Sequence, residues 1–489
     1  MEDNIIENNN KSFISMGFAL FIGIVYDRLF IGKSIGISFT IFVLLCMIFY
    51  FWYVKKEIRF QLTLGWFLLI PIMVLSFNFF IFTNPVLYAF NILIIPFLMV
   101  VSSILINKPN YRWYDISFVA IIFESSVIKA IGNGVKSFSI FGRIKGLNKS
   151  MNKGHRKQIL LGLIISIPLL FWIILLLNSA DMVFSFYINN IGAIFDNFNF
   201  RELLSHIFVI SIISVYILGF VLSFDKKDSI YSKEEVSSKV SWEVVTLLTI
   251  TILLNVVYCI FTIIQFSYLY GGGNKVLPAG FTYAEYARKG FFELVALTLI
   301  NLIIVLSISK FADKRSKGQS VILNILLSFI VFFTLSMLYS ASYKLSLYEA
   351  SYGFTYLRLF VHVFMIFLLI ANIMVFIGIW STKLKVMKSL ILTALVIYTV
   401  ANIINIDGFI GKKNFELYEK QGKGDVYYLT NLSYEGLPYL LKLQNIVNEN
   451  EKIVITERLN SMRYELEREK QWEEFNFSKN RARELLSKK

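Results

Sequence analysis

Charge is what this chain is short of. Asp, Glu, Lys and Arg make up only 17% of its 489 residues, against about 25% in soluble domains. A large soluble enzyme is therefore excluded. Metal-binding chemistry is equally thin. The only histidines are His155, His206 and His362, the only cysteines Cys46 and Cys259, and no His-Glu-x-x-His occurs. A zinc site built from His and Cys is not expected, nor is any other metal or cofactor. Both cysteines lie inside apolar runs, which excludes a disulfide framework and leaves two buried thiols. There is no Walker loop: Gly271-Gly-Gly-Asn-Lys275 has the residue types without the spacing. Gly32-Lys-Ser-Ile-Gly36 matches Gly-x-Ser-x-Gly in form only, because it joins two apolar helices rather than a strand and a helix. No catalytic residue is assigned, and a non-enzymatic envelope, sensory or assembly role is expected. The start, Met1 to Asn10, lacks the basic region of a secretory signal, so the first apolar run is expected to stay as a membrane helix.

What the chain does have is hydrocarbon. Hydrophobic residues make up 56%, the mean hydropathy is +0.63, and the apolar residues come in runs of roughly 20, the length that crosses a bilayer as a helix. The fold class is therefore all-α, a polytopic integral membrane helix bundle of about eleven spans with a small helical C-terminal tail. Outer-membrane barrels are excluded, since their strands alternate. Spans are expected at 13–31, 35–54, 63–82, 85–107, 158–178, 203–224, 242–269, 291–309, 321–341, 357–380 and 389–405. The organisation is a cytoplasmic N-terminus (1–12), four spans (13–107), a basic connection (108–157), seven spans (158–405) and a soluble tail (406–489). In the connection, Trp113 to Ile131 is apolar but carries Asp115, Glu124 and Lys129. It reads as an interfacial helix, with a twelfth span as the alternative.

The net charge of +15 suggests nucleic acid until its distribution is examined. The tail is nearly neutral, with 15 Lys+Arg against 14 Asp+Glu after Asn405. The excess lies in loops between spans, where it orients a membrane protein and attracts anionic lipid headgroups, here at the basic 136–157 stretch. The partner is thus the lipid bilayer and not nucleic acid. The connections after even-numbered spans hold 24 Lys and Arg against 8 after odd-numbered ones. The N-terminus is then cytoplasmic and the tail outside. Heavy use of Ile, Asn and Lys points to a low-GC bacterium and its plasma membrane. In the tail, Leu437-Pro438 opens a helix, and Ile455, Leu459, Met462 and Leu466 recur at helical spacing.

Three charged, aromatic stretches interrupt the grease, and span counting puts them on one face of the membrane. In Tyr283 to Glu293, Glu285, Lys289 and Glu293 would share a helix face, with Arg288 close by. In Lys344 to Arg358, Glu349 precedes a helix stop at Tyr352-Gly353, and His362 follows Arg358 one turn on. In Asn405 to Asn414, Asp407 ends the last span and Gly408 suits a C-cap. Ionisable groups at membrane depth cost about 2.5–3.5 kcal/mol and so seek partners. One reading has Glu293, Lys344, Arg358 and Asp407 pair and clamp the helix ends. Another makes the cluster Glu285, Arg288, Glu293, Lys344, Glu349, Arg358, His362 and Asp407 a binding site for a headgroup, solute or peptide. A transporter or lipid-handling protein would use it as an entrance, and a membrane-embedded transferase is a third possibility. His206 reads as an interfacial histidine. Asn255, Asn301, Asn324 and Asn372 lie within spans, where interhelical hydrogen bonds would occupy them.

From residue 240 onward the chain resembles an uncharacterised family of bacterial multi-pass membrane proteins with a domain of unknown function (DUF4173/DUF4153 type). The resemblance rests on Tyr283-Ala-Glu-Tyr-Ala-Arg288 with Gly290-Phe-Phe-Glu293, Tyr352-Gly-Phe-Thr-Tyr-Leu-Arg358, Asn405-Ile-Asp-Gly-Phe-Ile with Asn414, and Asp425-Val-Tyr-Tyr-Leu-Thr-Asn-Leu-Ser433. It implies a membrane helix bundle and no activity.

Overall fold

A computed structural model describes residues 2–55, 63–109, 111–137, 200–224, 242–269, 290–313, 316–381, 383–422, 424–469 and 471–488, with isolated positions between 173 and 183. Eleven helices among the described residues are long and apolar enough to cross a membrane. The expected run 158–178 falls mostly outside the described residues, as do Glu285, Arg288 and most of the basic 136–157 stretch. The chain forms two compact units.

The first unit comprises residues 1–81, 89–231 and 469–476. Its helices are α1 (Glu2–Phe30), α2 (Ile37–Val54), α3 (Leu64–Phe67), α4 (Leu69–Ile81), most of α5 (Pro85–Asn107), α6 (Ser117–Phe123), α7 (Ala130–Ser137) and α8 (Phe200–Leu222). α3 and α4 make one span broken at Leu68, three residues before Pro71. Pro71 has no N–H to bond back, so it falls in the first turn of the second piece, where none is needed. α6 and α7 are joined by a π-helical turn, Glu124–Lys129.

Small residues set the helix contacts here. Gly23 of α1 lies against Ser214 and the carbonyl of Ile210 on α8. Gly219 of α8 packs so closely on Ala130 and Gly134 of α7 that a Cβ there would overlap the Ala130 carbonyl oxygen. In lipid, apolar side chains gain nothing by leaving their solvent, so close backbone approach supplies the attraction instead.

The contacts also fix the path of the chain. Asp27 at the end of α1 meets His206 at the start of α8, so those two ends share a face. Counting crossings from α1 through α2, α3–α4 and α5 leaves residue 107 at the opposite face. The continuous helix 117–137 qualifies as a span by length and composition.

The second unit comprises residues 82–88, 232–468 and 477–489. Its membrane helices are α9 (Val244–Leu269), α10 (Phe291–Phe311), α11 (Lys317–Tyr352), α12 (Tyr356–Trp380) and α13 (Val386–Ile403). Trp242, before α9, pairs with Phe311 and Asp313 at the end of α10, so these helices run antiparallel. Their core includes Leu302, Val305, Leu327, Ile330, Leu345 and Leu368. α11 has 36 residues, about 54 Å of helix. It outruns a hydrocarbon layer of about 30 Å and carries Lys344 to Tyr352 to the far side.

The tail is helical: α14 (Ile406–Gln421), α15 (Val426–Thr430), α16 (Leu437–Leu443), α17 (Glu449–Arg468) and α18 (Phe477–Ser487). Ile455, Leu459, Met462 and Leu466 are all buried. They join Ile410, Leu437 and Leu443 in a core that also takes in Leu87 and packs against Phe354, Leu359 and Phe360 at the start of α12. Each such side chain contributes about 1.5–3 kcal/mol, so the tail is docked rather than tethered.

One local expectation is corrected. Gly408 is no C-cap, and Asp407 does not end a span. α13 stops at Ile403, and Asn405 opens a new helix by accepting a hydrogen bond from Gly408 N–H. Asn supplies a side-chain acceptor at that point, and an N-cap bond outcompetes continuation of the span.

Candidate functional site

The described parts of the charged motifs in the second unit fall into separate networks. The first lies between α10 and α11. Gly290, at φ +93°, starts α10, and Glu293 in the first turn is the charge that acts on Lys344. Lys344 is buried, its ammonium beside Gly290.

The second network crosses from α11 to α12. Glu349 Oε2 lies 2.9 Å from His362 Nε2. Glu349 is 4% exposed, and its other oxygen, Oε1, is buried with no hydrogen-bond partner among the described residues. Arg358 joins neither network. Its guanidinium bonds the carbonyls of Tyr352 and Gly353 and stacks 4.3 Å from the ring centre of Tyr348. Among the described residues no carboxylate lies within ion-pair distance of it. The donors of arginine are here used to satisfy the open end of α11. Gly353, at φ +75°, ends that helix. Asn414 locks the turn, accepting from Phe354 N–H at 2.6 Å and donating to the Phe354 carbonyl at 2.8 Å.

The third network holds two carboxyls. Asp407, 1% exposed, accepts from the Tyr356 hydroxyl, the Asn84 carboxamide and Ser433 N–H. Its donors are neutral, and it sits in the first turn of α14, where the helix dipole favours a negative charge. Glu435, in the 3₁₀ turn Tyr434–Gly436, accepts from Thr83 N–H at 2.7 Å and from the hydroxyls of Thr83 and Ser433. Burial raises the Glu435 carboxyl above its ordinary range, and the nearby charge of Asp407 raises it further. Tyr428 donates to neither acid; its hydroxyl accepts Tyr356 N–H at 2.7 Å. The clamp expected among Glu293, Lys344, Arg358 and Asp407 is thus not one cluster. Only Glu293 and Lys344 are brought together.

Several of these partners escaped the sequence reading. Thr83 and Asn84 had the look of a plain joint before Pro85, yet Asn84 caps α5 through Leu87 N–H and also binds Asp407. The signal was there: Asn before Pro is an N-cap pattern.

The first unit holds an arrangement the sequence hid. Asp27, with 9% of its side chain exposed, lies 2.6 Å from His206 Nδ1, and Glu202 stands 4.0 Å from Nε2. On the same face Lys33 pairs with Glu473, Ser34 N–H bonds Glu474, and Ile37 N–H bonds the Phe475 carbonyl. Between α1, α2, α5 and α8 runs an apolar cleft of about 580 Å³. Tyr26, Phe30, Phe42, Cys46, Tyr50, Ile95 and Tyr216 line it, and among the described residues Lys33 is its one charged group. Pro96 also lines it and, four residues back, so does Ile92. The proline cannot bond the Ile92 carbonyl, which loosens the helix at that level.

Among the described residues no group of three His, Cys, Asp or Glu side chains could hold a metal ion. No curated protein and no solved structure matches the chain. A family model does, over residues 69–443, from α4 through α16. That match takes in all three networks and most of the spans, and by it this multi-pass membrane chain belongs to the family defined by the domain of unknown function DUF4153.

Proposed function

We propose that this protein is a lipid-handling membrane protein whose first unit holds the hydrocarbon chain of a membrane lipid. The cleft between α1, α2, α5 and α8 carries this reading. Protein interiors are close-packed, with few voids larger than a water molecule, and a space of about 580 Å³ is the size of a ligand site. Its lining on α2 runs from Phe39 to Phe51, about 18 Å along the helix. That is more than half the hydrocarbon thickness of about 30 Å. A long, apolar, membrane-level slot fits a chain better than a compact solute. The polar networks of the second unit support a fastening role for the tail, since their donors and acceptors are mostly satisfied within the protein.

The orientation proposed is a cytoplasmic N-terminus and an outward tail in a bacterial plasma membrane. The loop charges support it, and so does the packing of residues 473–476 against Lys33, Ile37 and Phe79, at the face where α1 ends.

The test is lipid retention. The full chain, purified in mild detergent, is extracted and its bound lipid quantified beside Cys46→Trp and Met99→Trp, which fill the cleft. Retained lipid should fall in both variants while the melting temperature holds. Equal retention in all three chains would remove the reading.

A further inference from the structure

The cleft of the first unit has two unlike ends. Near Phe51 its polar groups already bond within the protein. The Tyr50 hydroxyl donates to the Ser103 carbonyl at 3.0 Å, and the Ser102 hydroxyl to the Gly65 carbonyl at 2.8 Å. At the other end the loop between α1 and α2 brings in Lys33 and Ile35, and the α2 lining runs away from them, from Phe39 to Phe51. Among the described residues Lys33 is the one charge that lines the cleft. A hydrocarbon slot that ends on a cation has the polarity of an amphiphile with an anionic head.

Lys33 is held but not used up. Its side chain is 15% exposed, and its ammonium bonds the Glu473 carboxylate. An ammonium has three N–H donors, and among the described residues no second acceptor is bonded to this one. Glu473 does not itself line the cleft. Nor does the pair carry the fastening of its segment. Ser34 N–H bonds Glu474 at 3.0 Å, Ile37 N–H the Phe475 carbonyl at 3.0 Å, and Asn476 Nδ2 the Phe79 carbonyl at 2.9 Å. The Phe475 ring also packs on Phe80, their centres 5.7 Å apart. Glu473 can therefore release Lys33 while its neighbours stay in place. Release without a substitute would leave the cation uncompensated, so the group that replaces Glu473 must itself be an anion.

We infer that the cleft selects an anionic phospholipid, whose phosphate displaces Glu473 from Lys33 while a chain lies along α2. This rests on the lipid reading of the cleft and adds the class of head. A cationic group on the same head works against binding, because it sets a like charge beside Lys33. Zwitterionic lipids are therefore the poorer fit, and a neutral head leaves the Lys33–Glu473 pair closed.

The full chain, stripped of lipid in mild detergent, is incubated with equal amounts of chain-matched phosphatidylglycerol and phosphatidylethanolamine. After washing, the bound lipid is extracted and both species are quantified. Wild type should retain more phosphatidylglycerol. Lys33→Gln should lower the ratio by about fivefold, the contribution of one partly exposed ion pair, and Lys33→Arg should keep it. Glu473→Gln removes the competing carboxylate and should raise it. Excess inorganic phosphate should not release the lipid, since it has no chain to fill the cleft; release would make this a site for free anions and overturn the inference. If wild type retains neither lipid, the lipid reading of the cleft falls and this inference with it. Lipid retained without preference, with a preference for phosphatidylethanolamine, or with a preference that survives in Lys33→Gln overturns the head assignment alone. If Lys33→Gln fails to fold, Glu473→Gln decides: a ratio no higher than wild type overturns it.

Discussion

The two units solve the membrane interior in opposite ways. The first joins helices by shape, through Gly23, Gly134 and Gly219, and leaves an apolar cleft. Its charged pairs, Asp27 with His206 and Lys33 with Glu473, stay at the ends of its helices. The second carries polar side chains into mid-membrane on three helices and closes its face with two carboxyls held mostly by neutral donors. The lesson is energetic. Shape-based contacts tolerate a gap, because lipid can occupy it. Polar contacts do not, because every unpaired group is charged its full desolvation cost.

That contrast can be broken at Asp407. Asp407→Ala orphans the donors of Tyr356, Asn84 and Ser433, and should cost about 3 kcal/mol or more, read as a lower melting temperature and faster proteolysis of the tail. Lipid retention by the first unit should be unchanged. The reciprocal test is Gly219→Val, which forces a side chain onto the Ala130 carbonyl. Overpacking of this kind costs about 1–3 kcal/mol, and crosslinking between α7 and α8 should drop while proteolysis of the tail stays slow.

Gly353→Ala should cost about 1–2 kcal/mol, since a Cβ at φ +75° also meets Asn414 Oδ1 at 2.6 Å. Asn414→Ala should recover the clash but not the backbone strain, so the double variant should remain less stable than Asn414→Ala alone. The smallest effect is one of pH. Because the native Glu435 carboxyl is raised above 4.5, the folded state binds its proton more tightly than the unfolded chain does. Its contribution is full below 4.5 and is lost as pH rises through the folded value. Glu435→Gln should flatten the fall in melting temperature over that window; an unchanged slope would assign it to another group.

Much of this was legible in the residues. Apolar runs give the spans because a bilayer demands internal backbone bonding over about 20 residues. The Leu, Ile and Met spacing of 455–466 gives α17. The helix stop at Tyr352-Gly353 follows from glycine's access to positive φ. What was not legible depends on pairs far apart in the chain. Asp27 and His206 are 179 residues apart, and each alone reads as an interfacial residue. Arg358 looked like a counter-ion because charge suggests charge, yet the carbonyls at the end of its neighbouring helix were nearer. The cleft has no sequence signature at all, since a helix facing a gap and a helix facing lipid use the same side chains.

Lys33 and Glu473 are 440 positions apart. At synthesis rates of about 5–20 residues per second, roughly 20 to 90 seconds separate their emergence. The first hairpin must therefore wait in the bilayer, its loop unlatched, until residue 473 has been made. Any chain that terminates before Glu473 leaves that loop open, so the contact reports on how far translation has run as well as on folding.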